Sequence, residues 1–438
     1  MRVRSFKGGV HAPDHKEQTK DKAIEVLGPP PRVVIPLHQH TGAPCEPLVK
    51  EGDTVVLGQK IGESKSFVSA PVHASIAGKV AAIQPLPHPA LPKLVLSVVI
   101  EAEPEAGPAV SRDWPLDGGW ESLTAEEVKA RIREAGVVGL GGAAFPTHVK
   151  ISPPAGKTVD VLIVNGVECE PYLTNDHRLM LERGEEILAG ARVLQKVLGV
   201  KRVIVGIEAN KMDAIRTLSG LAGGSGIEIA RLKVKYPQGA EKQLIKALLN
   251  REVPSGGLPF DVGVVVQNVG TALAVYEAVA RGKPLIERVL TVGGDGVKEP
   301  RNLLVRIGTS FARVLEACGG IEADGETKVI MGGPMMGIAQ YSLEVPVVKG
   351  TSGILVFRRG HLEKETPCIK CGRCVEVCPM GLMPVRIADY AEKDNFTMCA
   401  EYGVKDCIEC GACAYVCDTK RPIVHWVKYA KWNLARKK

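Results

Sequence analysis

The spacing of apolar residues changes several times along the chain. Between residues 30 and 100 the apolar runs are short and β-branched: 33–35, 55–56, a stretch over 69–80, and 94–100, with Gly-Asp at 52–53 and Gly-Gln at 58–59 between them. Short β-rich runs broken by turn residues predict strands that fold back on one another. From residue 124 the period lengthens. Thr124 and Glu127 have the spacing of a capping box, which predicts a helix running to Ala135. A run at 159–164, apolar apart from Asp160, predicts a strand buried on both faces. A helix over 184–198, a strand at 202–207, a helix from near 211, a strand at 227–234 and a helix over 241–249 follow. Strand and helix alternating in this way predict an α/β layer with parallel strands. Short strands with glycine corners return at 289–294, 303–307, 328–334 and 353–357, around one helix at 310–318, the pattern of a small α+β module. Beyond residue 366 the chain is rich in cysteine and short on strands.

Composition narrows the class. The chain has 438 residues, 45% hydrophobic and 24% charged, which excludes a disordered or collagen-like protein and suggests about three domains. The formal charge of +7 is concentrated at the end, where Lys420, Arg421, Lys428, Lys431, Arg436, Lys437 and Lys438 follow Asp418 with no further acid. The remainder is near neutral, so a general nucleic-acid binder is not expected. The longest apolar stretch, 262–280, is interrupted by Gln267, Asn268 and Glu277, so no membrane-spanning helix is expected. The basic start has no apolar core behind it, so no secretory signal is expected either. A cytoplasmic chain with reduced cysteines follows.

The cysteines carry the strongest signal. Of the twelve, eight form two runs: Cys368, Cys371, Cys374 and Cys378 followed by Pro379, then Cys407, Cys410, Cys413 and Cys417 followed by Asp418. Both runs have the C-x2-C-x2-C-x3-C spacing of bacterial ferredoxins, in which three thiolates hold one [4Fe–4S] cube and the fourth reaches the other. Cluster one is therefore assigned to Cys368, Cys371, Cys374 and Cys417, and cluster two to Cys407, Cys410, Cys413 and Cys378. Zinc sites instead favour paired C-x2-C units separated by a loop. Gly372 and Gly411 give the backbone room beside the sulfurs. Cys399 lies outside either pattern; Cys45, Cys169 and Cys318 are isolated and read as small buried residues. Two such clusters pass single electrons, so another part of the chain must give or receive them.

Two loops are candidates for that part. Gly139, Gly141 and Gly142 stand in a glycine-rich stretch that runs through Ala143, Phe145, Pro146 and Thr147 to Lys150. Clustered glycines let backbone N–H groups approach an anion, although such a stretch is as often a plain turn. Asn165, Glu168 and Glu170 follow directly on the strand at 159–164. Ligands of open α/β sheets lie off the carboxyl ends of strands, so these residues could bond a flavin or a ribose; the plainer alternative is a solvated acidic loop.

These motifs resemble known families. Residues 49–80 resemble the biotinyl/lipoyl barrel-sandwich family in an E-G-D-x-V-x-x-G-Q stretch followed by A-P and G-K-V; Lys65 lacks the tight-turn setting of that family's modified lysine, so a structural use of the fold is expected. Residues from about 132 to 280 resemble the flavin/NADH-binding subunit of respiratory complex I. Its G-G-A-G-F-P-T-G-x-K loop is similar to residues 139–150, and its N-A-D-E-x-E-P-G-T-x-K-D-R run to Asn165, Glu168, Glu170, Pro171 and Asp176. Its Y-I-C-G-E-E is similar to the Y-P-Q-G-A-E of residues 236–241, and its N-N-V to Gln267, Asn268 and Val269. The resemblance implies FMN held by Gly139, Gly141, Gly142, Ala143, Phe145, Lys150, Asn165, Gln267 and Asn268. Glu168, Glu170, Tyr236 and Glu241 would line the flavin and nicotinamide side. Leu140, Val167, Ala240 and Gln267 differ from that family's Arg, Asp, Glu and Asn. The module after residue 286 resembles the β-grasp (soluble-ligand-binding) domain of the same protein.

The order of parts, with the opening stretch from Phe6 through Gly8 and Gly9 to His11, resembles the RnfC family of the Rnf electron transport complex. The implied fold is multidomain α/β and α+β: a barrel-sandwich domain (1–105), a linker (106–120), a Rossmann-like FMN/NADH domain (121–285), a β-grasp module (286–358), a helical ferredoxin-type 2[4Fe–4S] domain (359–420) and a basic amphipathic tail (421–438). The implied function is that of a peripheral subunit on the cytoplasmic face of the membrane. It would pass electrons among an iron–sulfur partner subunit, two [4Fe–4S] clusters, FMN and NAD(H) within a ferredoxin:NAD+ oxidoreductase that exports ions. A cobalamin reductase with the same cofactors, and an electron-relay scaffold with a vestigial nucleotide site, remain alternatives. In the tail, Ile423, Trp426, Val427, Ala430 and Leu434 fall at helical spacing among basic residues, which suits either an anionic membrane surface or the protein's own core.

Overall fold

The structure is a computed structural model that describes residues 3–103, 119–322, 325–358 and 364–436. Most of the linker expected at 106–120 lies outside the described residues, as do Lys437 and Lys438.

Four parallel strands, Val161–Gly166, Arg202–Glu208, Ile227–Leu232 and Val264–Asn268, make the central sheet. The first strand lies between the second and the fourth, with the third outermost. Chain direction across the sheet therefore reverses between Val161–Gly166 and Val264–Asn268, and a crevice opens at the carboxyl ends of that pair. Alternate residues feed opposite cores. Leu162, Val164, Val203, Val205 and Val265 face the helices Ala125–Glu134, Gly184–Leu198 and Val269–Arg281. Val161, Ile163, Ile204, Val264 and Val266 face Glu241–Leu249. This is why the strands read as unbroken apolar runs. The capping box forms as expected: Thr124 Oγ1 accepts from Glu127 N, and Thr124 N donates to Glu127 at 2.7 Å.

Residues 287–358 belong to a six-stranded mixed sheet whose successive strands are Ile24–Val26, Arg301–Arg306, Glu287–Gly293, Gly353–Arg358, Thr327–Met331 and Ile338–Gln340. The helix Phe311–Ala317 buries Phe311, Val314 and Leu315 against Leu290, Val292 and Val305. One edge strand thus comes from the N-terminal region, whereas the sequence pattern places everything up to residue 105 in one unit. The first thirty residues instead run over the other domains: Arg4 bridges Leu232 and Val10 bridges Tyr236 before Ile24–Val26 joins Arg301–Arg306.

Two small facing sheets enclose Val33, Ile35, Ile61, Val72, Val98 and Ile100. One holds Arg32–Pro36, Val95–Ala102, Gly78–Leu86 and Thr54–Val55; the other holds Glu46–Pro47, Lys60–Glu63 and Val72–His73. The single run expected over 69–80 is split between His73 and Gly78, and at Gly78 any Cβ would lie 1.9 Å from the Glu101 carbonyl oxygen. Only glycine lets the strands approach so closely.

The C-terminal region is helical. Val427 and Ala430 of the helix Ile423–Arg436 pack against Ile387, Ala391, Phe396, Cys399 and Val404, and Ile423 packs against Ala388 and Cys413. The apolar stripe that could have lain on a membrane is therefore spent on its own domain. Trp432 stays exposed, with the Arg436 guanidinium 4.4 Å from its ring centre. Among the described residues no helix is long and apolar enough to cross a membrane.

Gly190 lies where Gly184–Leu198 crosses Val269–Arg281, and a Cβ there would meet the Ala272 carbonyl oxygen at 1.8 Å. Gly190→Ala raises helix propensity by about 1 kcal/mol but forces the two backbones apart. The expected net loss is about 2–3 kcal/mol, seen as a lower midpoint in denaturant unfolding followed by circular dichroism.

Candidate functional site

The two cysteine runs adopt matching backbones. Lys370 and Glu409 both have φ 57°, and Gly372 and Gly411 both have φ 79°. Each glycine precedes a one-turn helix, Arg373–Glu376 or Ala412–Tyr415. The amide of Lys370 donates to Cys368 Sγ and that of Glu409 to Cys407 Sγ, each at 3.4 Å. This left-handed, glycine-dependent turn aims successive N–H groups at a centre of negative charge. Cys378, Cys407, Cys410 and Cys413 line one cavity, closed by Met380, Ile387, Val424 and Val427. The other four thiols are also neighbours: burial pushes the Cys374 thiol up, and the charges of Cys368, Cys371 and Cys417 add to that. Among the described residues no three His, Cys, Asp or Glu side chains are close enough to share one metal ion. A four-iron cube holds its thiolates further apart than a single ion does, and two quartets, each joining three cysteines of one run to the last of the other, fit two cubes. The quartets differ in exposure: Cys371 is open to solvent, whereas Cys410 and Cys413 are buried.

The inner quartet is seated on the rest of the protein. Tyr236 donates its hydroxyl to the Cys410 carbonyl at 2.6 Å. A Cβ at Gly411 would lie 2.8 Å from the Met335 carbonyl oxygen. Gly9 N donates to the Val377 carbonyl at 2.8 Å, and a Cβ at Gly8 would lie 2.9 Å from the Cys378 carbonyl oxygen. Val10 and Tyr236 exchange backbone hydrogen bonds at 2.8 and 2.9 Å. The paired glycines of the opening motif thus let a strap thread between the inner quartet and Tyr236; the motif is visible in the sequence, but its use is not. Lys431 donates to the Cys407 carbonyl at 2.6 Å and to Glu409 at 2.7 Å, adding a positive charge beside this quartet.

The crevice at the carboxyl ends of the parallel strands gathers most of the remaining candidates. Asn165 and Asn268 are register partners there. Asn165 donates to the Gly239 carbonyl at 2.9 Å and accepts from Val167 N. Asn268 caps Val269–Arg281 and donates to Asp176 at 2.7 Å. The glycine loop closes over it: a Cβ at Gly141 would meet Asn268 Nδ2 at 2.9 Å, while Gly142 faces open space. Lys150 pairs with Glu241 at 2.6 Å. Arg288, which no sequence motif signals, lies fully buried beneath the loop, donating to the Leu140 carbonyl at 2.7 Å and facing Asp176. It brings a cation under the loop from a different element than the Arg that Leu140 replaces.

Glu168 and Glu170 do not project into open space. Glu168, at φ 48°, accepts from Asp176 N at 2.6 Å and from His177 N, and lies 3.8 Å from the buried Lys16 ammonium. Burial pushes its carboxyl up to about 7 against the pull of Lys16. Glu170 accepts from Met335 N at 3.0 Å and from Met336 N at 2.9 Å, and burial raises it to about 7 as well. Lys16 also donates to the carbonyls of Glu170 and Leu173. The acidic loop is thus a buried, tied structure rather than a solvated one.

Among the described residues, three buried side-chain amides have atoms without a partner: both polar atoms of Gln238, Gln267 Nε2, and Gln243 Oε1, whose Nε2 donates to the Pro379 carbonyl at 3.3 Å. Gln238 and Gln267 are almost wholly buried. Unpaired buried amides at the carboxyl edge of a parallel sheet, beside a glycine loop, fit a planar polar ligand such as a flavin.

Comparison with known proteins agrees with this arrangement. Residues 4–105 match the RnfC barrel sandwich hybrid domain, 132–277 the Nuo51 FMN-binding domain, 289–339 the SLBB domain and 367–420 the 4Fe–4S dicluster domain. The C-subunit of the proton-translocating ferredoxin:NAD(+) oxidoreductase complex of Clostridium ljungdahlii is 49% identical over 98% of this chain and 94% of its own. The chain belongs to the RnfC family, the C-subunits of ion-translocating ferredoxin:NAD+ oxidoreductase complexes. The C-subunit of the Na(+)-translocating complex of Acetobacterium woodii is 48% identical over 98% of this chain and 96% of its own, and that of the ion-translocating oxidoreductase complex of Rhodobacter capsulatus is 41% identical over 99% and 84%. Among solved structures, an NAD+-reducing [NiFe]-hydrogenase chain shares the fold with a TM-score of 0.50 at 19% identity, covering 72% of this chain and 62% of its own.

A carboxyl whose folded pKa is raised binds a proton more readily folded than unfolded, so its ionisation costs stability as pH rises from about 4.5 to 7. Glu170→Gln removes that ionisation. The stability of the variant relative to wild type should therefore improve by up to roughly 3 kcal/mol between pH 4.5 and pH 8, measured by denaturant titration across that range.

Proposed function

We propose that this chain is the electron-transferring subunit that links iron–sulfur partners to NAD(H) in an ion-translocating ferredoxin:NAD+ oxidoreductase. The observation that supports this most directly is the contact between the inner cysteine quartet and the crevice, through Tyr236 and the loop that carries Gln238 and Gly239. FMN and two [4Fe–4S] clusters, when bound, supply the change between one-electron and two-electron transfer.

The chain's residues do the holding. Cys368, Cys371, Cys374 and Cys417 hold the outer cluster, where the exposed Cys371 gives a partner iron–sulfur protein access. Cys378, Cys407, Cys410 and Cys413 hold the inner cluster and shut water out. Gly139, Gly141, Gly142, Ala143, Phe145 and Lys150 form the phosphate side of the FMN site, with Asn165, Gln267 and Asn268 beneath it. Glu241, which pairs with Lys150, flanks the face where nicotinamide would lie. Glu168, Glu170 and Tyr236 act from behind, fixing the acidic loop and the inner cluster in place. The domain divisions follow the same plan, with the first thirty residues assigned to the interfaces. Partner subunits would hold the chain at the cytoplasmic face of the membrane. Likeness to RnfC-family chains over nearly the whole length favours this reading over a cobalamin reductase.

Anaerobic titration of the iron- and FMN-loaded protein with NADH should bleach flavin and cluster bands together. Intact bands with FMN bound would overturn the NAD(H) assignment. Lys431→Met removes a positive charge beside Cys407, so the midpoint potential of one cluster should fall while the other holds, read by EPR-monitored redox titration.

A further inference from the structure

We propose that the side-chain amide of Gln238 is a flavin-binding group: it hydrogen-bonds the polar edge of the flavin ring and orients that edge toward the inner cluster. The inference rests on the reading that the crevice holds FMN. Gln238 is fully buried, and neither its Oε1 nor its Nε2 has a partner among the described residues. An amide removed from water with none of its hydrogen bonds made is strongly penalised, so such a group in a native fold implies a partner that arrives later.

Its surroundings indicate which partner. The neighbouring Gly239 receives the Asn165 side chain through its carbonyl and donates to Cys169 Sγ at 3.3 Å, which places Gln238 at the switch point of the sheet. Two residues earlier, Tyr236 holds the Cys410 carbonyl. Gln267, from the fourth strand, brings a second unpaired amide nitrogen to the same edge. Asn165 and Asn268, by contrast, are committed to protein partners. A flavin ring presents alternating donors and acceptors along one edge, the pattern that a primary amide matches with its paired N–H and C=O.

The test uses the full chain with its clusters loaded. Gln238→Met keeps the length and removes both polar atoms. FMN affinity, read by quenching of flavin fluorescence, should fall at least 10-fold. The FMN-free variant should unfold at the same temperature as wild type or higher, because an unpaired amide has been replaced by an apolar group of similar shape. The cluster EPR signals should not change. FMN affinity within 2-fold of wild type would overturn the inference, as would a lowered unfolding temperature of the FMN-free variant, which would show that the amide serves the protein itself. If Gln238→Met fails to fold, Gln238→Glu carries the test: it loses the donor and gains a charge, so FMN should bind more weakly than to wild type, and unchanged binding overturns the inference. Wild-type protein that takes up no FMN defeats the crevice reading first, a result distinct from wild-type uptake that the variants retain.

Discussion

One hydrogen bond, from the Tyr236 hydroxyl to the Cys410 carbonyl, joins the domain that holds electrons in clusters to the one suited to a nucleotide. Electron transfer between cofactors requires short and fixed separations, whereas interfaces between domains of one chain are by default loose. Here the interface is fixed by insertion. Gly8 and Gly9 slide a strap between the two, and the Met335 carbonyl closes against Gly411 on the far side. Each contact falls on backbone within or beside the inner quartet, at Val377 and Cys378 of one run and Cys410 and Gly411 of the other, so a shift in any of the three domains would move the thiols themselves.

A second constraint is charge. Lys16, Glu168, Asp176, Glu208, Lys211 and Arg288 are all buried near the carboxyl ends of the parallel strands. Such groups are tolerated only when each finds partners, and they do: Lys211 donates to the Val167 carbonyl at 2.7 Å and meets Glu208 at 3.4 Å, while Lys16 meets the acidic loop. The network makes the floor of the crevice rigid and polar at once, which suits a site that must hold one ligand geometry through changes of charge.

How much of this the sequence revealed depended on how local each signal was. The cysteine spacing, the parallel strands and the capping box at Thr124 are set by neighbours within a few residues, and they are where they were expected. Asn165 was placed at the right end of the sheet because ligand position in open sheets follows strand direction. Features that depend on distant partners were invisible. Nothing in the run of residues around Lys16 says that it is buried, because its partners lie more than 150 positions away. Glu168 and Glu170 looked like free carboxylates for the same reason. The stripe of the last helix fitted a membrane or a core equally well, and only Ile387, Phe396 and Val404 decide between them. Gln238 was not singled out, because an unmet hydrogen bond leaves no mark in a sequence.

The strap has a consequence in time. Residues 8–10 are held by Tyr236, Val377 and Cys378, so during synthesis they can be seated only after those much later residues have been made. The strap is thus a late addition to the surroundings of Cys378, seated only once both the Tyr236 loop and the first cysteine run exist.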